Sequence, residues 1–159
     1  MSERIIKMLP HKHFLFSLPF AIVLILIVPE IHLIGFLLIV LSSSLLDFDH
    51  YIYYIVKKKS LNLIKAYRWF RAKNDKFKLL SLEYRRKVYR AFCCFHGLEI
   101  PIIFFILTLL VSEYFAFIFI GIIFHLSLDY IDQWKPGERK DKLFLTYDFL
   151  KFKKLRYLE

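Results

Sequence analysis

The chain has 159 residues, of which 58% are hydrophobic and 19% aromatic, and its mean hydropathy is +0.48. These values argue against an ordinary water-soluble domain, in which closer to half of the residues are apolar. They also exclude a disordered chain, because 18 Phe and 10 Tyr supply abundant buriable surface. The formal net charge of +10 is large for so apolar a chain, so the charged residues must be concentrated in particular segments.

Four apolar runs contain no Lys, Arg, Asp or Glu, and they cover 14–28, 31–46, 100–111 and 114–124. Only two residues separate the first run from the second, and only two separate the third from the fourth. This spacing predicts two helical hairpins with tight turns.

The apolar runs are shorter than the roughly 20 residues that a membrane helix needs, so we expect each helix to extend past its apolar part. Ser81 is the expected N-cap near the start of the third helix, and Pro101 predicts a kink inside it. The predicted transmembrane helices cover about 11–28, 31–56, 88–112 and 114–134, within a single membrane domain that comprises residues 1–159.

Lys and Arg are distributed on one side of the predicted membrane. Residues 1–13 hold three of them, residues 47–99 hold thirteen and residues 125–159 hold eight, which accounts for all 24. Basic residues are retained on the cytoplasmic side of membranes. The pattern therefore predicts a multi-pass protein of the cell membrane with both termini cytoplasmic, whereas a soluble helical bundle with buried hairpins is the disfavoured alternative.

The predicted fold class is all-α: an integral membrane four-helix bundle made of two hairpins, with basic amphipathic cytoplasmic helices. These helices are expected in the loop 57–87, where Asn74 and Asp75 predict a turn, and in the tail 135–159. Both segments interleave Lys and Arg with aromatic and aliphatic residues, a pattern typical of segments that lie on anionic lipid. The predicted partners are membrane lipids and their anionic headgroups. Nucleic acid is the weaker hypothesis, because no nucleic-acid motif is present.

Ten ionisable side chains lie at the cytoplasmic ends of the predicted helices. They are His11, His13, Asp47, Asp49, His50, His96, Glu99, His125, Asp129 and Asp132. Several form imidazole and carboxylate pairs at spacings of three or four residues, which place both side chains on one face of a helix. The pairs are Asp47 with His50, His96 with Glu99, and His125 with Asp129.

This combination of residue types predicts a metal site, because helical bundles hold metals with such pairs. Imidazole nitrogen and carboxylate oxygen suit zinc, manganese and iron, so the predicted cofactor is a divalent metal, with zinc as the first choice. The predicted ligands are His11, His13, Asp47, Asp49, His50, His96, Glu99, His125 and Asp129. Two ions about 3.5–4 Å apart would suit phosphoester hydrolysis.

Some members of this set have two interpretations. Glu99 is either a ligand or the general base that takes a proton from the attacking water. Asp132 is either such a base or a residue that orients a ligand His, and Glu99 and Asp132 are the predicted catalytic residues. His11 and His13 are two residues apart, so one of them is expected to be a ligand and the other to lie on the surface.

Two adjacent cysteines, Cys93 and Cys94, lie three and two residues before His96. They are soft metal ligands in principle, but they form no C-x-x-C pair. We therefore interpret both as small buried residues.

The motifs HKH at 11–13, LLDFDH at 45–50, FHGLE at 95–99 and HLSLD at 125–129 resemble those of the membrane-bound metal-dependent hydrolases. This family is also described as LexA-binding, inner-membrane-associated hydrolases. The resemblance covers roughly residues 10–132. A more distant resemblance links the chain to the zinc-dependent phospholipase C helical enzymes.

Two elements of the family pattern match this sequence residue by residue. The D-x-D-H element matches Asp47, Asp49 and His50, and the H-x-x-x-D element matches His125 and Asp129. The middle motif departs from the family, which has two His around an Arg-Gly where this chain has the segment 96–99, His-Gly-Leu-Glu. The resemblance implies a metal-dependent hydrolase at the membrane, with a metal number that this departure leaves open.

The expected function is metal-dependent hydrolysis of a phosphoester or lipid-type substrate at the cytoplasmic face, with basic loop residues contacting the phosphate. The alternative is a non-enzymatic membrane protein. It would be a metal or proton transporter, since intramembrane His and Asp also build proton relays, or a scaffold that binds partners through its basic arms.

Overall fold

The computed structural model describes residues 10–89, 91–133, 144–154 and 156–157. In this part of the chain it contains helices and one pair of two-residue strands. The elements are α1 (Pro10–Ile27), α2 (Leu33–Leu45), α3 (Phe48–Lys58), α4 (Leu63–Leu79), α5 (Leu82–Lys87), β1 (Val88–Tyr89), α6 (Glu99–Leu110), α7 (Tyr114–Gln133), α8 (Leu145–Lys154) and β2 (Arg156–Tyr157). The prediction of an all-α protein is confirmed for the described residues, since the two strands contribute only two residues each.

The chain divides into two compact units, where the sequence predicted one membrane domain. The apolar unit comprises Met1–Leu46 and Glu99–Trp134, and the basic unit comprises Asp47–Leu98 and Lys135–Glu159. The division follows the composition, because the charge-free runs all fall in the first unit and most Lys and Arg fall in the second.

The apolar unit is built from the two predicted helical hairpins. Pro29 and Glu30 form the turn between α1 and α2. Ser112 lies in the turn between α6 and α7, where its Oγ accepts a hydrogen bond from the Tyr114 amide. Helix α2 packs against α1 and α7, and α6 packs against α7. The two predicted hairpins are therefore present and share the α2–α7 interface.

Helices α2 and α7 approach each other closely at Gly121. A Cβ at this position would lie 2.4 Å from the carbonyl oxygen of Ile39 and 2.0 Å from Ser42 Oγ. Small residues at helix interfaces allow backbones to come this near. Because Gly121 and His125 are one helical turn apart on α7, the same approach sets the distance from His125 to α2.

The apolar unit buries polar side chains and exposes apolar ones. His13, Ser17, Ser43 and His125 are fully buried, whereas most large aliphatic side chains on its helices are exposed, as Leu26 is at 76%. Water-soluble proteins bury most of their large aliphatic side chains. A large exposed apolar surface marks contact with a membrane or with another protein.

Two helical runs are long and apolar enough to cross a membrane, judged by length and composition: Leu33–Lys58 and Tyr114–Ile131. The first run contains α2 and α3, because Leu46 and Asp47 between them keep right-handed helical φ and ψ. The apolar parts of α1 and α6 are shorter than 18 residues. The described residues thus contain two candidate spans, where the sequence predicted four.

The third predicted helix begins later than expected. The sequence predicted a helix over 88–112, but residues 91–98 form loop and turns, and α6 begins only at Glu99. Pro101 lies in the first turn of α6, where its missing N–H costs nothing because the first amides of a helix have no intrahelical partner. Pro101 therefore marks the helix start and not the expected kink. Ser81, the expected N-cap of this helix, caps the short helix α5 instead.

The basic unit packs around Trp69 on α4. The Trp69 ring contacts Tyr54 of α3 with a centroid separation of 5.6 Å, and Lys73 Nζ lies 4.2 Å from the centroid of the same ring. Lys73 is only 3% exposed, which is possible because the aromatic face attracts its ammonium group. Strand β1 pairs in parallel with β2, with Val88 opposite Arg156.

Helix α4 runs without interruption through Asn74 and Asp75, so the turn predicted there is wrong. An ion pair between Asp75 and Lys78, one turn apart with 3.8 Å between Oδ1 and Nζ, offsets part of the low helix propensity of Asp. The helix begins instead at Asn62, whose side chain accepts a hydrogen bond from the Lys65 amide. The predicted basic helices of the middle loop and the tail are present as α4, α5 and α8.

Candidate metal centre

Among the described residues, two clusters of His, Cys and acidic side chains each lie within one unit. The His13 cluster, in the apolar unit, consists of His13, His125 and Asp129. The Asp49 cluster, in the basic unit, consists of Asp49, His50, Cys93 and His96, with Asp47 at its edge. The prediction of one site shared by all four helices stays a prediction, and each cluster is described by itself.

In the His13 cluster, one carboxylate lies beside two fully buried imidazoles. Asp129 Oδ1 is 3.4 Å from His13 Nε2, and Asp129 Oδ2 is 3.9 Å from His125 Nε2. The two imidazole rings stack with their centroids 3.8 Å apart. One donor atom from each residue lies within 4.8 Å of the others, which is close enough for three ligands of one cation after small side-chain rotations.

The backbone of α2 holds the ring of His125. His125 Nδ1 is 2.6 Å from the carbonyl oxygen of Ser43, and a carbonyl oxygen only accepts, so Nδ1 carries the proton. Ser43 lies in the last turn of α2, where carbonyl groups lack intrahelical partners. The lone pair therefore stays on Nε2, the nitrogen nearer to Asp129, which is the form of imidazole that binds a cation.

In the Asp49 cluster, the buried carboxylate of Asp49 holds two imidazoles and one backbone amide. Asp49 Oδ2 accepts a hydrogen bond of 3.0 Å from the Phe95 amide and lies 2.9 Å from His96 Nδ1. Asp49 Oδ1 lies 2.8 Å from His50 Nδ1. The Asp49 carboxylate therefore faces the Nδ1 side of both imidazole rings.

The two Nε2 atoms of this cluster lie near further ligand atoms. His50 Nε2 is 3.3 Å from Cys93 Sγ, and His96 Nε2 is 3.3 Å from Asp47 Oδ1. One donor atom from each of the four main members lies within 4.8 Å of the other three. The Asp49 cluster thus offers nitrogen, oxygen and sulfur donors within one small volume.

The local chain path explains how the Asp49 cluster forms. Asp49 and His50 lie in the first turn of α3, and Cys93 and His96 lie in the irregular segment 91–98. His96 was predicted to share a helix face with Glu99, and this prediction is wrong because α6 begins after His96. The loop brings His96 to Asp49 through the hydrogen bond from the Phe95 amide.

Both clusters fit a divalent cation by the chemistry of their donor sets. Asp49 is 1% exposed, and a buried carboxylate is stable only when an opposite charge or several hydrogen bonds compensate it. The Phe95 amide and the His96 imidazole supply hydrogen bonds to Oδ2, and a bound cation would supply the charge. These residues therefore form groups that could hold a metal ion, as the sequence predicted. The choice of metal belongs to the proposed function.

Two predicted site residues have side chains that the structure does not describe, and a third is described but belongs to neither cluster. The side chains of His11 and Asp132 lie outside the described residues. Glu99 is the first residue of α6 and is half-buried, and among the described residues it belongs to neither group of donor atoms. The catalytic roles predicted for Glu99 and Asp132 stay predictions.

Cys93 is the member that sequence reasoning missed. Its burial, at 7% exposed, agrees with the prediction, but its contact with His50 was not predicted. The sequence feature that could have indicated Cys93 as a ligand is its position three residues before His96. For Cys94, burial chiefly, and the negative charge of Asp49 to a lesser degree, raise the pKa of the thiol, so Cys94 stays protonated at neutral pH.

The chain matches no protein-family model, no curated protein and no solved structure. The resemblance to the membrane-bound metal-dependent hydrolases therefore stays a prediction that rests on the sequence motifs.

Proposed function

We propose that this chain is a membrane-embedded metal-dependent hydrolase that acts on a phosphoester or lipid-type substrate at the cytoplasmic face. The observation that carries the proposal is the His13 cluster, in which two fully buried imidazoles and one carboxylate lie within 4.8 Å of one another. Such a set has few uses in an apolar environment other than to bind a cation or to move a proton.

The membrane location is supported by the inverted polarity of the apolar unit. Its helices bury His and Ser side chains and expose aliphatic ones, which is the arrangement expected where lipid replaces water. Together with the one-sided distribution of Lys and Arg, this favours a multi-pass protein of the cell membrane with both termini cytoplasmic.

The cation-binding residues have distinct roles in this proposal. His13, His125 and Asp129 hold a cation in the apolar unit, and Ser43 orients His125 through its carbonyl oxygen. Asp49, His50 and His96 are the corresponding residues of the basic unit, with Asp47 beside His96. A bound divalent cation, with zinc as the first choice and manganese or iron as alternatives, supplies a Lewis acid that polarises a phosphoryl oxygen.

The chain's own groups then bind the substrate and move protons. Exposed basic side chains on α4, such as Lys65 and Arg68, attract the phosphate of an anionic headgroup. Exposed apolar residues on the same helix, such as Leu63 and Ile64, favour a position at the lipid surface. Glu99 or Asp132 takes a proton from the attacking water.

The test measures metal content and hydrolysis in the same preparation. We expect purified protein to carry a divalent metal and to hydrolyse bis(p-nitrophenyl) phosphate or an anionic phospholipid. We expect His125→Ala with Asp129→Ala to lose hydrolysis and the metal of the His13 cluster, while the metal of the Asp49 cluster is kept. The matched control replaces His32 and Asp75 by Ala, since His32 is exposed and the Asp75 side chain is 62% exposed. Full activity of the double variant in the His13 cluster would reject the mechanism.

A second function is favoured by one observation, the burial of two stacked His beside a partly exposed Asp among apolar helices. This arrangement also suits a metal or proton transporter. Reconstitution into liposomes separates the two functions, since a transporter gives flux of protons or zinc that the same double variant abolishes, without phosphoester cleavage. A scaffold that binds partners only through its basic arms would show neither flux nor hydrolysis.

A further inference from the structure

The sulfur of Cys93 lies where a fourth ligand of the Asp49 cluster is needed. Cys93 Sγ is 3.3 Å from His50 Nε2, and the residue is 7% exposed. Its donor atom belongs to the same group as those of Asp49, His50 and His96, all within 4.8 Å of one another. The sulfur is therefore part of a four-residue constellation and does not stand alone.

The separations match a four-ligand site that closes on a cation. Zinc binds nitrogen at about 2.0–2.1 Å and sulfur at about 2.3 Å, so neighbouring ligands of a tetrahedral site lie roughly 3.3–3.8 Å apart. The contact between Cys93 Sγ and His50 Nε2 already has this length. The remaining donor atoms need movements on the order of 1 Å, which side-chain rotation provides.

The arrangement around His50 also fits. The Asp49 carboxylate lies 2.8 Å from Nδ1 of the ring, and Cys93 Sγ lies 3.3 Å from Nε2, so a gap suited to a cation lies between sulfur and the second ring nitrogen. A divalent cation that enters this gap replaces the thiol proton, which passes to solvent, and forms bonds to sulfur and to nitrogen.

We propose that Cys93 is a thiolate ligand, which makes the Asp49 cluster a mixed nitrogen, oxygen and sulfur site for zinc-like cations. Thiolate favours zinc and cobalt over manganese and magnesium, which prefer sites built of oxygen. This inference rests on the proposed metal-dependent function and names the metal class for one of its two clusters. The absence of a C-x-x-C pair had favoured a small buried residue at this position.

Cys94 provides the matched control. It is the neighbouring residue and has the same side chain, but it belongs to neither group of donor atoms among the described residues. A ligand role for cysteine should therefore depend on position 93 alone.

The experiment uses the full chain in detergent, stripped of metal by a chelator and titrated with Co(II). We expect a sulfur-to-cobalt charge-transfer band in the near ultraviolet, which is lost in Cys93→Ser and kept in Cys94→Ser. Zinc should bind Cys93→Ser at least roughly 10-fold more weakly than the wild type, whereas manganese affinity should change less than about twofold. Absence of the band in the wild-type chain overturns the proposal.

A measurement on the wild-type chain covers the case in which Cys93→Ser does not fold. Zinc should protect Cys93 from iodoacetamide at least roughly 10-fold more than it protects Cys94, as read by mass spectrometry of the peptide that contains both. Equal protection of the two cysteines overturns the proposal. Hydrolysis without a charge-transfer band would reject only the thiolate ligand, and a band without hydrolysis would reject only the proposed hydrolase function.

Discussion

Replacing Gly121 by Ala tests whether the close approach of α2 and α7 builds the His13 cluster. The new Cβ would lie 2.4 Å from the carbonyl oxygen of Ile39, whereas ordinary contacts begin at 3.4 Å. The backbones must therefore separate by about 1 Å, because the obstructing atom is backbone and cannot rotate away. His125 lies one turn further along α7, so it moves together with Gly121.

The expected change in the stability of Gly121→Ala is the difference between two opposing free energies. Ala favours a helix over Gly by about 1 kcal/mol, and overpacking costs about 1–3 kcal/mol, so the loss of stability is at most about 2 kcal/mol. The substitution is expected to weaken metal binding at the His13 cluster more than it lowers stability. A shift of about 1 Å lengthens the 2.6 Å contact between His125 Nδ1 and the Ser43 oxygen beyond hydrogen-bonding distance. Loss of such an orienting bond typically lowers metal affinity by about 10–100-fold.

The assay is competitive zinc titration of Gly121→Ala, with thermal unfolding in detergent measured on the same sample. Gly35→Ala is the control, because a Cβ there would meet only side-chain atoms of Phe117 and Ile31, at 3.0 and 3.1 Å, and these can move. We expect weaker zinc binding in the first variant and wild-type binding in the second. Wild-type affinity in a folded Gly121→Ala protein would refute the link between this interface and the site.

Two further predictions concern the basic unit. Burial raises the pKa of the Cys94 thiol above its usual 9.0, so in Cys93→Ser, which keeps one thiol, iodoacetamide at about pH 8 should react more slowly with folded than with denatured protein. The stabilisation from this neutral thiol is fully present below the unfolded pKa and is lost as the pH rises through the folded pKa. Equal rates in the two states would contradict the burial argument. In nanodiscs, trypsin should cut α4 more slowly when the lipid is anionic than when it is zwitterionic, because anionic headgroups cover its Lys and Arg, and equal cleavage would argue against headgroup binding.

Several features of this protein follow from the sequence alone, because they depend on local composition. Charge-free runs interrupted by two residues predict hairpins wherever they occur, and α1–α2 and α6–α7 have this form. The predicted start of α7 at Tyr114 is confirmed, and the helix continues through Gln133, the last residue described before 144, as the apolar run predicted. The spacing of His125 and Asp129 places both on one face of that helix, and the structure confirms their proximity.

Only the tertiary structure decided which polar side chains meet. Asp49 and His96 are 47 positions apart, and their contact exists because an irregular segment, and not the expected helix, carries His96 to the start of α3. A helix through this segment would have presented His96 and Glu99 together, and Pro101 was consistent with either a kink or a helix start. Local propensity does not distinguish these two cases, because the hydrogen bond from the Phe95 amide to Asp49 that stabilises the loop forms only after folding.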